Sequence, residues 1–274
     1  MLSKLFAKFT KKDQKQKQAD TLDLKDIKNK IKPERIGELG EYKINIQLDQ
    51  MDKQFKYVSD LLIDNPKSKT RYSQIDHVVI TPYAIFVIET KNYQGTIYGE
   101  RNRTKWNVNG KFPMMNPFNQ NFGHIQAIKS LLKCSDSTNF VSIVSFSRRC
   151  TFKVNEELRK IHSNDLIVYD TELSDIIKRK INVLKLQPTM RIFTDEEIQT
   201  IYTNLTQANI TDERIREEHI NLIKEAIVKP KNVNAKSNSK CAICSKNVSE
   251  KVVTYCLTNK EKFNGKIYCF DHQK

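Results

Sequence analysis

Two β-rich segments lie so close together that only one pairing is open to them. Residues 72–81 and 83–90 are dense in Val, Ile, Tyr and Phe, and little more than Thr81-Pro82 stands between them. Proline cannot donate to a ladder, so a break falls there. A parallel crossover needs a dozen or more residues. The two segments are therefore expected to form an antiparallel pair around a tight turn.

The surrounding pattern fits an α/β domain with mixed pairing. Residues 34–51 read as a first helix: Ile36, Leu39, Ile44 and Leu48 recur at helical spacing, with Glu34 and Glu38 in the early turns where the dipole favours acids. Residues 55–63 read as a strand, and two shorter strands follow at 95–98 and 105–108. Asn109-Gly110 is a hairpin signal leading into Lys111-Phe112. Asn116-Pro117 opens a helix reaching about Lys133, with Ile125, Ile128, Leu131 and Leu132 on its apolar side, and residues 140–146 read as a buried strand. Beyond Ser147 the signal thins to a strand at 166–169 and helices near 172–180, 195–207 and 211–229. The expected organisation is a basic tail or linker at 1–33, a core at 34–147, an α/β and helical extension at 148–229, a linker at 230–240 and a cysteine module at 241–274.

Charge sharpens this division. The chain has 274 residues and a formal charge of +15. Residues 1–33 hold ten lysines against four aspartates and residues 231–274 nine lysines against three acids, leaving +3 for the 197 residues between them. Basic arms on a nearly balanced core suit sequence-independent phosphate binding, and the same lysines also serve solubility. With 38% hydrophobic residues and no apolar run near the roughly 20 residues of a membrane span, the composition excludes a membrane protein and a wholly disordered chain. Lys4 and Lys8 interrupt the first residues, so no signal peptide is read and a cytoplasmic location is expected. Leu2, Leu5, Phe6 and Phe9 would share one helical face, which allows weak membrane-surface contact or a frayed terminus.

The chemistry is concentrated at the paired strands. Antiparallel pairing sets Asp76 beside Glu89, and Glu89 and Lys91, two apart, point to one face. Two carboxylates and an ammonium suit phosphodiester hydrolysis: the acids hold Mg²⁺ or Mn²⁺, which prefers oxygen ligands, and Lys91 orients water or offsets phosphate charge. Glu41 or Glu38, three apart on the first helix, can complete the ligand set. His77 should point to the opposite face. His124, one turn after Gln120, can face the site or pack, and Trp106 can stack a base or pack.

These residues occur in a recognisable order. Gly37-Glu38-Leu39-Gly40-Glu41, Gln74-Ile75-Asp76-His77, Ile88-Glu89-Thr90-Lys91-Asn92, Gly95, Trp106 and Asn116-Pro117 followed by Gln120 resemble the nuclease-related domain, or NERD, family. That family is placed in the restriction-endonuclease-like PD-(D/E)XK superfamily, and the resemblance spans residues 34–132. It implies a core with a mixed central sheet flanked by helices. It also implies metal-binding roles for Asp76 and Glu89, a catalytic lysine at Lys91 and a helix glutamate at Glu41. The superfamily's proline before the first aspartate is Ile75 here. Gln120 matches the motif after the Asn-Pro turn, where its amide can reach a phosphate or water, or cap the helix.

Four cysteines crowd the last 34 residues. Cys241-Ala-Ile-Cys244 and Cys269-Phe-Asp-His272 form a zinc-ribbon-like C-x₂-C…C-x₂-H set suited to tetrahedral Zn²⁺, with Cys256 either free or substituting for one ligand. So short a segment cannot bury enough surface without such a staple. The module is expected to aid nucleic-acid binding or to dock a protein. The preferred expectation is a Mg²⁺- or Mn²⁺-dependent nuclease, with DNA favoured over RNA. The alternatives are an inactive nucleic-acid-binding or scaffold protein and a membrane-apposed adaptor.

Overall fold

The structure, a computed structural model, describes residues 33–134, 139–187, 193–228 and 239–273. The basic tail, the apolar residues near Met1, the side chain of Ile36 and most of the linker lie outside these. Internal packing defines a larger unit ending at Arg216 and a smaller one beginning at Glu217.

The larger unit is built on a five-stranded sheet of β1 (Lys56–Asp64), β2 (Tyr72–Ile80), β3 (Ile85–Lys91), β7 (Phe140–Phe146) and β9 (Asp165–Tyr169), in that spatial order. β1, β2 and β3 pair antiparallel, whereas β3, β7 and β9 run parallel. The antiparallel part follows from its short connections. Buried Thr81 closes the β2–β3 turn, its Oγ1 donating to Ala84 O at 2.8 Å and accepting from Ala84 N at 3.1 Å. The parallel part needs crossovers, and α2 (Pro117–Leu132) lies within the one between β3 and β7.

Each sheet face has its own apolar layer, as strand alternation requires. Val79, Phe86 and Ile88 pack with Ile44 and Leu48 of α1 (Pro33–Asp49) and with Ile177, Ile181 and Leu184 of α3 (Leu173–Lys185). Val78, Ile80, Ile85 and Val87 face the other way, against Ala127 and Ile128 of α2 and Ile198 and Leu205 of α4 (Asp195–Ala208). Thr194 and Glu197 form a capping box that starts α4. α5 (Glu213–Val228) follows.

A second, four-stranded sheet runs β6 (Phe112–Met115), β5 (Lys105–Val108), β4 (Gly95–Gly99), β8 (Cys150–Val154). Asn109 and Gly110 both have positive φ, 55° and 69°, the geometry of a two-residue hairpin turn. Trp106 is buried, donates Nε1–H to Glu100 O at 2.9 Å, and lies across Gly99, where a Cβ would come within 2.0 Å of the indole. It is a packing residue. β8 is not among the expected strands although its five residues alternate buried or half-buried Cys150, Phe152 and Val154 with exposed Thr151 and Lys153; it pairs with β4.

Asn116 ties this sheet to α2. Fully buried, it accepts from Phe118 N and donates Nδ2–H to Arg101 O at 2.9 Å and Arg103 O at 2.7 Å. Asn116→Ala removes a helix cap and strands two carbonyls, so equilibrium unfolding is expected to show a loss of about 2 to 3 kcal/mol.

The smaller unit joins two turns through helices. Lys240 bridges Asn247 around the first cysteine pair, α6 (Glu250–Thr258) and α7 (Lys260–Phe263) follow, and a 3₁₀ turn, Phe270–His272, ends it. Val248, Val252, Val253, Ile267 and Tyr268 pack around Cys241 and Cys269.

Candidate active site and metal centre

The β2–β3 register pairs His77 with Ile88, and its continuation sets Asp76 opposite Glu89. Both side chains therefore leave the sheet on the α2 side, the face of Val78 and Val87. Asp76 Oδ2 accepts from Thr90 N at 2.6 Å, which fastens the strand end. Lys91 Nζ donates to Glu89 Oε1 at 2.6 Å and to Gln120 Oε1 at 3.2 Å. Gln120 thus aims the lysine, and its capping alternative is not seen: the helix cap is Asn116.

His124, one turn further along α2, places Nε2 3.4 Å from Glu89 Oε2. It reaches the acid cluster, the first of the two alternatives its helical spacing allows. Glu41 comes from α1, on the opposite layer. It makes no hydrogen bond to Asp76 or Glu89, yet their charges are mutually felt. Glu38 is exposed and 3.7 Å from Arg35. Among the described residues, Cys241, Cys244, Cys269 and His272 are drawn together closely enough to share an ion, and Glu41, Asp76 and Glu89 are not drawn together in that way.

The electrostatics are those of crowded acids around one cation. Burial, then the charges of Glu89 and Glu41, push the Asp76 carboxyl well above the usual range, against the Thr90 N–H and Lys91. Burial likewise works to raise Glu89, but Lys91 and His124 outweigh it and hold this carboxyl at about 2. Burial works to lower Lys91, and Glu89 reverses that and raises it. Glu41 is raised by burial, then by Asp60 and Glu89. Glu89 is only 3% exposed, and its Oε2 is buried without a hydrogen bond. A buried carboxylate oxygen without a hydrogen bond is the kind of donor a hard divalent cation prefers, so the chemistry of Glu89 suits such an ion although the three acids are not gathered around one point.

Asp60 gave no signal in the sequence. It lies across β1 from Asp76 but drops out of the ladder at φ 49°, between the pairs Ser59–His77 and Leu61–Ile75. Arg216 holds it at 2.7 Å. The charge of Asp60 is nonetheless felt by Glu41, which it helps to raise.

His77 faces α1, as alternation requires, with Nε2 2.9 Å from Asn45 Oδ1. Burial holds its pKa down to about 4 against 6.5. The unfolded chain takes up that proton below pH 6.5 while the folded chain resists until about 4, so stability falls as pH drops through this window. The full contribution is about 3 kcal/mol. Urea unfolding between pH 7 and 4 is expected to show a shallower pH dependence for His77→Gln than for the natural chain.

In the smaller unit, Cys241, Cys244, Cys269 and His272 bring one ligand atom each within 4.8 Å of one another. His272 Nδ1 lies 3.4 Å from Cys241 Sγ and 3.3 Å from Cys269 Sγ, and Cys244 lies 3.7 Å from Cys269. Burial opposes the Cys241 thiolate, but backbone N–H groups of Cys269, Cys244 and Ile243 draw its pKa to about 5. Three thiols and one imidazole at this spacing fit zinc. Cys256 stands apart, its Sγ accepting from Tyr268 N at 3.5 Å, which excludes it from the set.

Comparison with known proteins bears on the family of the larger unit. Residues 36–147 match the family described as the nuclease-related domain, and the chain belongs to that family. An uncharacterized protein of Bacillus anthracis is 30% identical over 213 residues, which cover 75% of this chain and 92% of that protein. A crystal structure of a protein of unknown function, AF1548, aligns over 68% of this chain and 97% of its own at 10% identity, with a TM-score of 0.28 too low to carry a shared fold. No described helix is long and apolar enough to cross a membrane.

Proposed function

We propose that the chain is a nuclease that hydrolyses phosphodiester bonds in nucleic acid, DNA in preference to RNA, with a divalent cation at Asp76 and Glu89. The observation that supports it most is the juxtaposition of two carboxylates on adjacent strands with a lysine that Gln120 and Glu89 hold in place. Glu41, on the far layer, is the third acid of the set.

When bound, Mg²⁺ or Mn²⁺ supplies Lewis-acid stabilisation of the phosphate charge and a lower pKa for the attacking water. The chain's own groups prepare for this. Asp76 and Glu89 would supply the oxygen donors, at a site where burial and then mutual repulsion raise Asp76 and Glu41. Lys91 is held protonated by Glu89 and stays available to offset charge on the phosphate. His124 steadies Glu89 from the other side.

The Cys241, Cys244, Cys269 and His272 set is proposed to hold structural Zn²⁺, its four ligands leaving no open position for catalysis. The zinc unit and the lysine-rich ends would supply affinity for phosphates, and the unit can also dock a protein.

The reading is tested by incubating the purified chain with labelled single- and double-stranded DNA and RNA in Mg²⁺, Mn²⁺ or EDTA. Cleavage that needs the cation, with DNA cut fastest, is the expected result. Inertness on every substrate together with firm nucleic-acid binding would instead establish the scaffold reading.

A further inference from the structure

A cluster of carboxylates repels the polyanionic strand it would cut, so cations must hold that strand beside it. Lys91, bonded to Glu89 inside the cluster, serves the reacting phosphate in that reading, and the neighbouring phosphates need other cations. Arg148 stacks over Tyr169 at 4.4 Å and lies 3.6 Å from Glu172, while Arg159 lies 3.7 Å from the same acid. Arg149 is placed differently.

It follows β7, whose end is level with the reactive end of β3. Lys91 pairs with Phe146 in the parallel ladder, and Ser147 N donates to Lys91 O at 3.1 Å. Arg149 O accepts from Gly95 N at 3.1 Å, which fixes its backbone against the β3–β4 connection. Its Nη2 donates to Asn92 Oδ1 at 2.8 Å and its Nε to Ser147 Oγ at 3.4 Å. Asn92 follows Lys91 directly and packs against Gly40, the residue before Glu41, where a Cβ would lie 3.4 Å from its Nδ2. Two short steps therefore connect the guanidinium to both the β3 and the α1 walls of the acid cluster.

Both of these partners are neutral, and among the described residues Arg149 makes no ion pair. The side chain is nonetheless held rather than free. A guanidinium carries five N–H donors, of which two are used here. Both donors on Nη1 and one on Nη2 remain, the forked edge that grips a phosphate through two parallel bonds.

We propose that Arg149 is a phosphate-binding residue of this protein, holding a backbone phosphodiester of the nucleic-acid strand next to the bond that is cut. This rests on the nuclease reading and adds to it the group that positions the strand. Arg149 is a positioning residue, acting on the substrate's register.

The test is binding of a fluorescein-labelled DNA oligonucleotide, single-stranded and duplex, by chains carrying Asp76→Asn to prevent cleavage. Affinity is followed across roughly 50 to 200 mM salt. Adding Arg149→Ala is expected to weaken binding about 10-fold and to reduce the salt slope by about one counterion. Arg149→Lys should keep the slope while losing part of the affinity, because an ammonium restores the charge and not the fork. Arg103→Ala, an equally exposed arginine paired with Glu100, should change neither. Unchanged affinity and slope in Arg149→Ala overturns the inference and leaves the nuclease reading standing. Absence of both DNA binding and cation-dependent cleavage in the natural chain removes the nuclease reading, and the inference with it.

Discussion

Asp76→Asn is expected to lower cation-dependent cleavage by at least about 100-fold while leaving the fold intact or slightly more stable. The asparagine oxygen can still accept from Thr90 N, so the strand end keeps its tie. What disappears is one of three carboxylates that crowd each other, and relieving that crowding favours the folded chain. Loss of activity with retained or raised stability is the behaviour of a site strained for function. Lys91→Ala should also abolish cleavage, but it leaves buried Glu89 without its main counter-charge and is expected to cost about 3 to 5 kcal/mol of stability. The aspartate variant is therefore the cleaner probe, read by initial rates in Mg²⁺ or Mn²⁺ beside a thermal melt.

The second large effect concerns zinc. One zinc per chain is expected, and Cys269→Ser should lose it and unfold the smaller unit. The buried apolar side chains of residues 239–273 are few, Val248 and Phe263 with some partly buried neighbours, and Val248 packs around the sulfurs themselves. With so little apolar surface, zinc supplies most of the folding free energy, on the order of 10 to 16 kcal/mol in comparable isolated modules. Cys256→Ser should retain full zinc, because its thiol contacts Tyr268 and Gln273 rather than the ligand set. Metal analysis, combined with limited proteolysis of residues 239–273, reads both results. Unchanged zinc content in Cys269→Ser would remove the assignment.

Much of the fold was legible because its strongest signals are local. The Thr81-Pro82 break, the Asn109-Gly110 turn and the Asn116-Pro117 helix start each act within a few residues, and each appears in the structure where its chemistry places it. Period-two alternation also carried Asp76, Glu89 and Lys91 to one face and His77 to the other. The rest depends on contacts far apart in the chain. β8 carries a legible five-residue alternation that the expected strands omitted, and only its pairing with β4, some fifty residues earlier, lies beyond local signals. Asp60 leaves its ladder through a backbone kink that no residue type at that position demands. His124 meets Glu89 only because α2 crosses the end of β3, a matter of packing that helical spacing cannot rank above burial. Arg149 follows β7, the middle strand of the parallel half of the sheet, and nothing near it in sequence connects it to Asn92.

The most direct measurement is cation binding at the acid cluster, because it requires no guess about the substrate. The zinc-loaded chain is titrated with Mn²⁺ and the free ion is followed by electron paramagnetic resonance. The natural chain is predicted to take up Mn²⁺, and Asp76→Asn to bind it at least about 10-fold more weakly, since these ions take few protein ligands and one has been removed. Equal uptake by the two chains, or none by the natural one, would contradict the assignment of Asp76 and Glu89 as the site of a divalent cation.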